Sequence, residues 1–120
     1  MKVGASGPDI FEDDVACDVR AAMMNAQKMG LTANAATEQV LRKYQPHLQD
    51  IDDGPTVWFA LALVQIDLGI LQPRVRDTAL QLIDAGQGLS RWEDAEPEDL
   101  GERKRVLQEL KVRILSKKLI

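Results

Sequence analysis

The sequence predicts an all-α fold, a compact single-domain bundle of about five helices built from antiparallel helical hairpins. Three observations carry this expectation. Alanine and leucine abound while β-branched residues are few, a balance that favours helix over strand. Apolar residues recur at spacings of three and four, and no stretch of strand length alternates apolar with polar. Glycines and prolines punctuate the chain closely, leaving the short loops that join antiparallel neighbours. At 120 residues a single core is the natural arrangement, with residues 1–11 as a capping loop and 12–118 as the bundle.

The first helix is expected from Asp13 or Asp14, with Ala16, Val19, Ala22, Met23 and Ala26 on one face and Gly30 as its left-handed end. Thr32 then caps a second helix, whose inner stripe is Ala36, Val40, Leu41 and Tyr44 and which Pro46 should stop. QDIDDGP (49–55) reads as a turn, and Pro55 sits where a first-turn proline is tolerated. The third helix, ending at Gly69, is apolar nearly all round and is therefore expected at the centre, sheathed by the other four. Gln65 interrupts it and reads as a buried polar anchor rather than a group facing a ligand cavity. Pro73 opens a fourth helix with Val75, Ala79, Leu82 and Ile83 inward, ended by Gly86 and Gly88. LSRWEDAEPEDLGE (89–102) reads as an irregular acidic connection, followed by a long last helix with Leu100, Val106, Leu107, Leu110 and Ile114 as its stripe.

The formal charge is −4 and the pI about 4.9, the wrong sign for a protein that must displace counterions from phosphates. Cys17 is the only cysteine, which excludes an internal disulfide and fits a reducing compartment. The opening MKVGASGP lacks an apolar run of signal-peptide length, and VWFALALV (57–64) is too short to span a bilayer. A cytoplasmic location without membrane contact is therefore expected.

The stretch GASGPDIFEDDVACD (4–18) looks most like a motif. Asp9, Glu12, Asp14 and Asp18 lie close together, and a hard cation could in principle sit among them. Their spacing matches no calcium loop, and no histidine joins them to make a zinc set. The simpler reading is a helix start: Glu12, Asp13 and Asp14 complement the positive end of the helix dipole, while Ile10 and Phe11 fold back as an apolar staple. No metal and no cofactor is expected.

The same stretch resembles the opening of a widespread bacterial family of small helical proteins of unknown function, which begin Gly-x-Trp-Gly-x-Gly-x-Phe followed by acids, an alanine and an aspartate. Gly4, Gly7, Phe11, Asp13, Asp14, Ala16 and Asp18 match, whereas Ser6 stands where the family has tryptophan and Asp9 where it has glycine. DDGPTVWFALALVQIDLG (52–69), ALQLIDAG (79–86) and RWED (91–94) are similar to later segments of that family. The resemblance implies an all-α bacterial protein and supplies no catalytic residues.

His47 follows Pro46 and reads as a surface residue, since no nucleophile or orienting acid is assigned to it. Cys17 reads as a small buried residue, because its acidic neighbours disfavour a reactive thiolate. Trp58 is expected in the core, and Trp92, in a loop among charges, is the candidate interface aromatic. Arg103, Lys104, Arg105, Lys111, Arg113, Lys117 and Lys118 make a basic end to the last helix, opposite in sign to the acids between 93 and 102. That polarity follows the helix dipole, with a basic patch for an acidic partner as the sharper alternative. The apolar ILSKKLI end suggests a tail that docks onto this core or another chain.

No Ser/His/Asp set, phosphate-cradling glycine loop or dinucleotide fingerprint occurs, so an enzyme is the least favoured class. The favoured function is non-catalytic protein interaction, in one version an immunity or antitoxin protein that blocks a basic toxin. Its expected surface is Asp9, Glu12, Asp13, Asp14, Asp18, Asp50, Asp52, Asp53, Trp92, Glu93, Asp94 and Glu96. A nucleic-acid-associated regulator using Arg103, Lys104, Arg105, Lys111 and Arg113 is the first alternative, and a carboxylate-dependent enzyme or metal binder the second. Self-association is compatible with all of these.

Overall fold

Asp13 begins the first helix as its chemistry dictates: its Oδ1 accepts the otherwise unpaired N–H groups of Val15 (2.8 Å) and Ala16 (3.2 Å). In the computed structural model, which describes residues 7–117, that helix is α1 (Asp14–Lys28). Gly4 and Ser6, the leader reading of the first residues, and Lys118 with the final Leu119 and Ile120 lie outside the described residues. A 3₁₀ turn, Ile10–Glu12, precedes α1. There follow α2 (Ala33–Lys43), the short α3 (Gln45–Leu48), α4 (Asp53–Leu68), α5 (Pro73–Asp84), a second 3₁₀ turn at Ser90–Trp92 and α6 (Pro97–Leu115). No strand occurs among the described residues, and the fold is an all-α bundle.

Three helices end by the same device. After α4, the Ile70 N–H reaches back to the Gln65 carbonyl (2.8 Å) and the Gly69 N–H to Ile66 (3.1 Å), with Gly69 in the left-handed region at φ 72°. The same pair of bonds recurs after α1 through Gly30 and Leu31, and after α5 through Gly86 and Gln87. Each returning bond satisfies carbonyls that the helix leaves open, so the three turns predicted at these glycines are local consequences of sequence.

Burial assembles the helices. Val57, Phe59, Ala60, Leu61, Ala62, Val64 and Ile66 of α4 are all inaccessible or nearly so, as expected for a helix apolar around its circumference. Helices α1, α3, α5 and α6 and the opening turn pack directly on α4, whereas α2 packs chiefly on α1. The sheath is therefore uneven, and α2 reaches α4 through a polar contact. Gln65, 0 % exposed, donates from Nε2 to Thr37 Oγ1 (2.8 Å) and accepts the Gln72 N–H at Oε1 (3.1 Å). The Thr37 hydroxyl in turn lies against the Ala33 carbonyl. Gln65 is the structural anchor its position predicts, tying α2 and the entry to α5 onto α4. Gly88, at φ 86°, lies so close to α4 that a Cβ there would stand 2.7 Å from Phe59 Cε2. Only glycine fits.

Three boundaries differ from expectation. Pro46 does not simply stop a helix; it lies in the first turn of α3, where its missing N–H costs nothing. α4 starts at Asp53, because the Asp50 carboxylate accepts the N–H groups of Asp52 (2.8 Å) and Asp53 (2.9 Å) and caps the first turn early. The 89–102 stretch is not irregular throughout, since Pro97 initiates α6 within it and Ser90–Trp92 form a turn.

Replacing Gln65 with leucine leaves the Gln72 N–H without its acceptor and takes one of its partners from the Thr37 hydroxyl, which keeps the Ala33 carbonyl. Urea unfolding of Gln65→Leu should show a loss of about 2 kcal/mol, with a smaller added loss when Thr37→Val is introduced alongside.

Candidate functional site

The polar residues that the sequence marks as motifs converge on one guanidinium. Arg91, in the turn before α6, donates from one terminal nitrogen to Asp13 Oδ2 (2.6 Å) and from the other to Asp53 Oδ1 (3.2 Å). Asp13 belongs to the opening segment and Asp53 to the first turn of α4, so three distant parts of the chain meet here. The second oxygen of Asp53 lies 3.3 Å from His47 Nδ1 on α3. Beside them Ser90 donates its hydroxyl to Asp52 Oδ1 (2.8 Å). Burial by itself would weaken the Arg91 charge, but the hydrogen bond and charge of Asp13, with Asp52 and Asp53, outweigh it and hold the guanidinium pKa above its ordinary value.

A second buried arginine stands behind the first. Arg103 of α6 donates to the carbonyls of Pro8 (2.9 Å) and Gly88 (3.4 Å), and its guanidinium carbon lies 5.7 Å from the Trp92 ring centre. Burial pulls its pKa down to about 10 despite the favourable charges of Asp13 and Asp9. It therefore stays protonated at neutral pH and clamps the opening segment, the turn at Gly88 and α6 together.

This geometry corrects part of the expected interaction surface. Asp13 and Trp92 are buried, the tryptophan at 2 % exposure, because each partners an inward arginine. Asp52 and Asp53 are partly covered and engaged by Ser90 and Arg91. Asp9, Glu12, Asp14, Asp18, Asp50, Glu93, Asp94 and Glu96 are exposed. The basic patch is likewise reduced. Arg103 points inward, Arg105 is paired with Glu102 and Glu109, Lys111 with Asp84 (2.6 Å) and Arg113 with Asp67 (3.0 Å). Lys104 and Lys117 are exposed.

Among the described residues no three His, Cys, Asp or Glu side chains come together as a group able to hold a metal ion. Cys17 is half-buried rather than buried, and its Sγ–H donates to the Phe11 carbonyl (3.0 Å), which pins the opening turn to α1. His47 is partly exposed at the margin of the Arg91 cluster. Trp58 packs against the core and borders a groove of about 360 Å³ with Leu48, Ile51, Pro55 and Leu82. A second groove, of about 390 Å³, runs between the opening turn, Leu63 of α4 and one edge of α6. No described helix is long and apolar enough to cross a membrane.

The sequence-based site set omitted Arg91 and misplaced Arg103. A signal for the first existed: Arg91 is the only base between Arg76 and Arg103, set beside Trp92 in an otherwise acidic run. Arg103 carried one as well, since its spacing of three, four and seven from Val106, Leu107 and Leu110 places it on the inner stripe of a helix read as basic.

Arg91→Met leaves two carboxylates without their cation and should lower stability by about 3 kcal/mol, read as a fall in the urea midpoint at unchanged slope. Asp13→Asn should then cost less in that background than in the parent chain. Tyr44, the single tyrosine, is buried, and burial followed by the nearby Asp18 charge raises its pKa above 10.0. The folded phenol thus holds its proton longer than the unfolded one, so its contribution is complete below that value and is lost as pH rises through the folded pKa. Absorbance titration should place tyrosinate formation above that of the urea-unfolded chain, and Tyr44→Phe should weaken the alkaline loss of stability.

Comparison with curated proteins and with solved structures finds no match to this chain. The family described as Domain of unknown function (DUF4259) matches residues 4–118, which takes in the opening segment, α4 and the Arg91 turn alike. The chain belongs to this family.

Proposed function

We propose that this protein is a non-catalytic protein-interaction domain of a bacterial cytosolic protein, of immunity or antitoxin type, that recognises a basic partner through its acidic exterior. The carrying observation is how its charge is divided. Asp13, Asp53, Arg91 and Arg103 are spent on holding the fold, while Asp9, Glu12, Asp14, Asp18, Asp50, Glu93, Asp94 and Glu96 are turned to solvent. Of the outward bases of α6, Arg105, Lys111 and Arg113 are each matched by a carboxylate of the same chain, while Lys104 stays exposed. Exposed acidic clusters speed encounter with a basic partner and discriminate against acidic ones. The same pairing weakens the case for a nucleic-acid regulator, which would draw on those bases. The bacterial setting rests on the resemblance of Gly7, Phe11, Asp13, Asp14, Ala16 and Asp18 to the family opening.

Affinity capture from a bacterial lysate, followed by binding of the captured protein at several salt concentrations, tests this reading. A basic protein whose association slows as salt rises is expected. Glu93→Lys with Glu96→Lys should cut the on-rate by about tenfold at low salt. Salt-independent affinity, or capture of nucleic acid in place of protein, would contradict it.

A further inference from the structure

A cleft of about 750 Å³ lies between α1 and the end of α2. Asp18, Ala21, Ala22, Asn25 and Lys28 follow one another at helical spacings and share the face of α1 that lines it. The short turn at 29–32 returns α2 along α1, so Lys43 and Tyr44 come back to the Asp18 end. Asn25 stands about 10 Å further along the helix axis, with Lys28 one turn beyond it. Tyr44 is only 8 % exposed, yet among the described residues its hydroxyl has no hydrogen-bond partner. No sealed side-chain polar atom among those residues lacks a partner, so this hydroxyl is the part of the buried ring that reaches the cleft. Burial and then the Asp18 charge keep the phenol protonated, and so a donor. Lys43 Nζ lies 5.6 Å from the centre of the same ring, a contact that leaves its N–H donors unused. Asp18, Lys28 and Lys43 make no ion pair among the described residues, in contrast to Arg105, Lys111 and Arg113.

We propose that this cleft binds a small zwitterion of α-amino-acid type, with an acidic side chain preferred. The ligand carboxylate takes the Tyr44 hydroxyl and the Lys43 ammonium, and the ligand ammonium takes Asp18. Its side chain runs over Ala21 and Ala22 toward Asn25 and Lys28, where a distal carboxylate meets an amide and a second cation. The lining carries two ammonium groups and one carboxylate, the inverse of an acidic amino acid with its two carboxylates and one ammonium. That local balance runs against the net charge of −4, so it is a property of this cleft and not of the chain as a whole. The buried ring fixes the Tyr44 hydroxyl before anything binds, which lowers the entropy lost on binding. The inference stands apart from the protein-interaction reading above, since none of these contacts draws on the clusters at Asp50 or at 93–96.

Titration of the full chain with L-glutamate, L-lysine and acetate at constant ionic strength, followed by NMR, provides the test. Tyr44 is the single tyrosine, so its ring resonances report on the cleft without overlap. Saturable shifts of that ring and of the Asp18, Ala22, Asn25 and Lys43 amides are expected with glutamate. Lysine, which sets a cation against Lys28, and acetate, which has no ammonium for Asp18, should each bind at least tenfold more weakly. Tyr44→Phe removes only an unpartnered hydroxyl, so it should leave the urea midpoint at neutral pH unchanged while weakening glutamate by about tenfold, read from the amides. Asp18→Asn, an exposed change, should weaken it to a similar degree and is the deciding variant should Tyr44→Phe lower stability. Absence of saturable shifts with glutamate, equal binding of acetate or lysine, shifts that saturate outside α1 and the end of α2, or undiminished glutamate binding by Asp18→Asn would each overturn the proposal. None of these results bears on the lysate capture and its salt dependence, which test the protein-interaction reading separately.

Discussion

A guanidinium presents a planar fork of N–H donors, and in this protein one such fork joins segments that the chain keeps far apart. Arg91 takes Asp13 on one side and Asp53 on the other, and the two aspartates are themselves at helix starts. Asp13 does two jobs at once, since one oxygen caps α1 and the other holds Arg91. The entry to α1, the entry to α4 and the turn ahead of α6 are therefore fixed relative to one another by a single group. A lysine, carrying its charge on one compact ammonium, cannot present two parallel donors in that way.

The rest of the architecture hangs on this arrangement and on α4. The central helix supplies apolar surface in every direction, but apolar surface alone does not choose a register for its neighbours. Directional contacts choose it. Gln65 fixes α2 and the start of α5, Gly88 lets the turn after α5 close on Phe59, and Arg103 draws the opening segment and α6 to the same place. Interior polar chemistry thus sets the geometry of the bundle, while Asp9, Asp14, Asp18, Asp50, Glu93, Asp94 and Glu96 stay exposed.

Much of the fold was legible from residue pattern because its determinants are local. The 3–4 spacing of Ala16, Val19, Met23 and Ala26, the glycines at 30, 69 and 86, and the all-round apolarity of 57–64 each act within a turn or two of chain. Early capping by Asp50 and the proline starts of α3 and α6 were also local, but turn-like composition hid them. The polar cluster was legible only in pieces. Acids at 13 and at 52–53 read as surface charge until Arg91 is seen to reach both, a pairing across 78 and 38 positions that periodicity cannot express. Trp92 and Arg103 were misplaced because charge hid their burial: the tryptophan stands in an acidic run and the arginine on the apolar stripe of a helix read as basic.

Amide hydrogen exchange in Arg91→Lys tests the bridging role most directly, because the substitution keeps the charge and removes only the fork. Loss of protection at Ala16 and Cys17 in the first turn of α1 and at Val57 in the first turn of α4, with the centre of α4 from Phe59 to Gln65 still protected, is the predicted result. Exchange at those early-turn amides equal to that of the parent chain would show that the two helix entries hold without Arg91, and would contradict its central place in the fold.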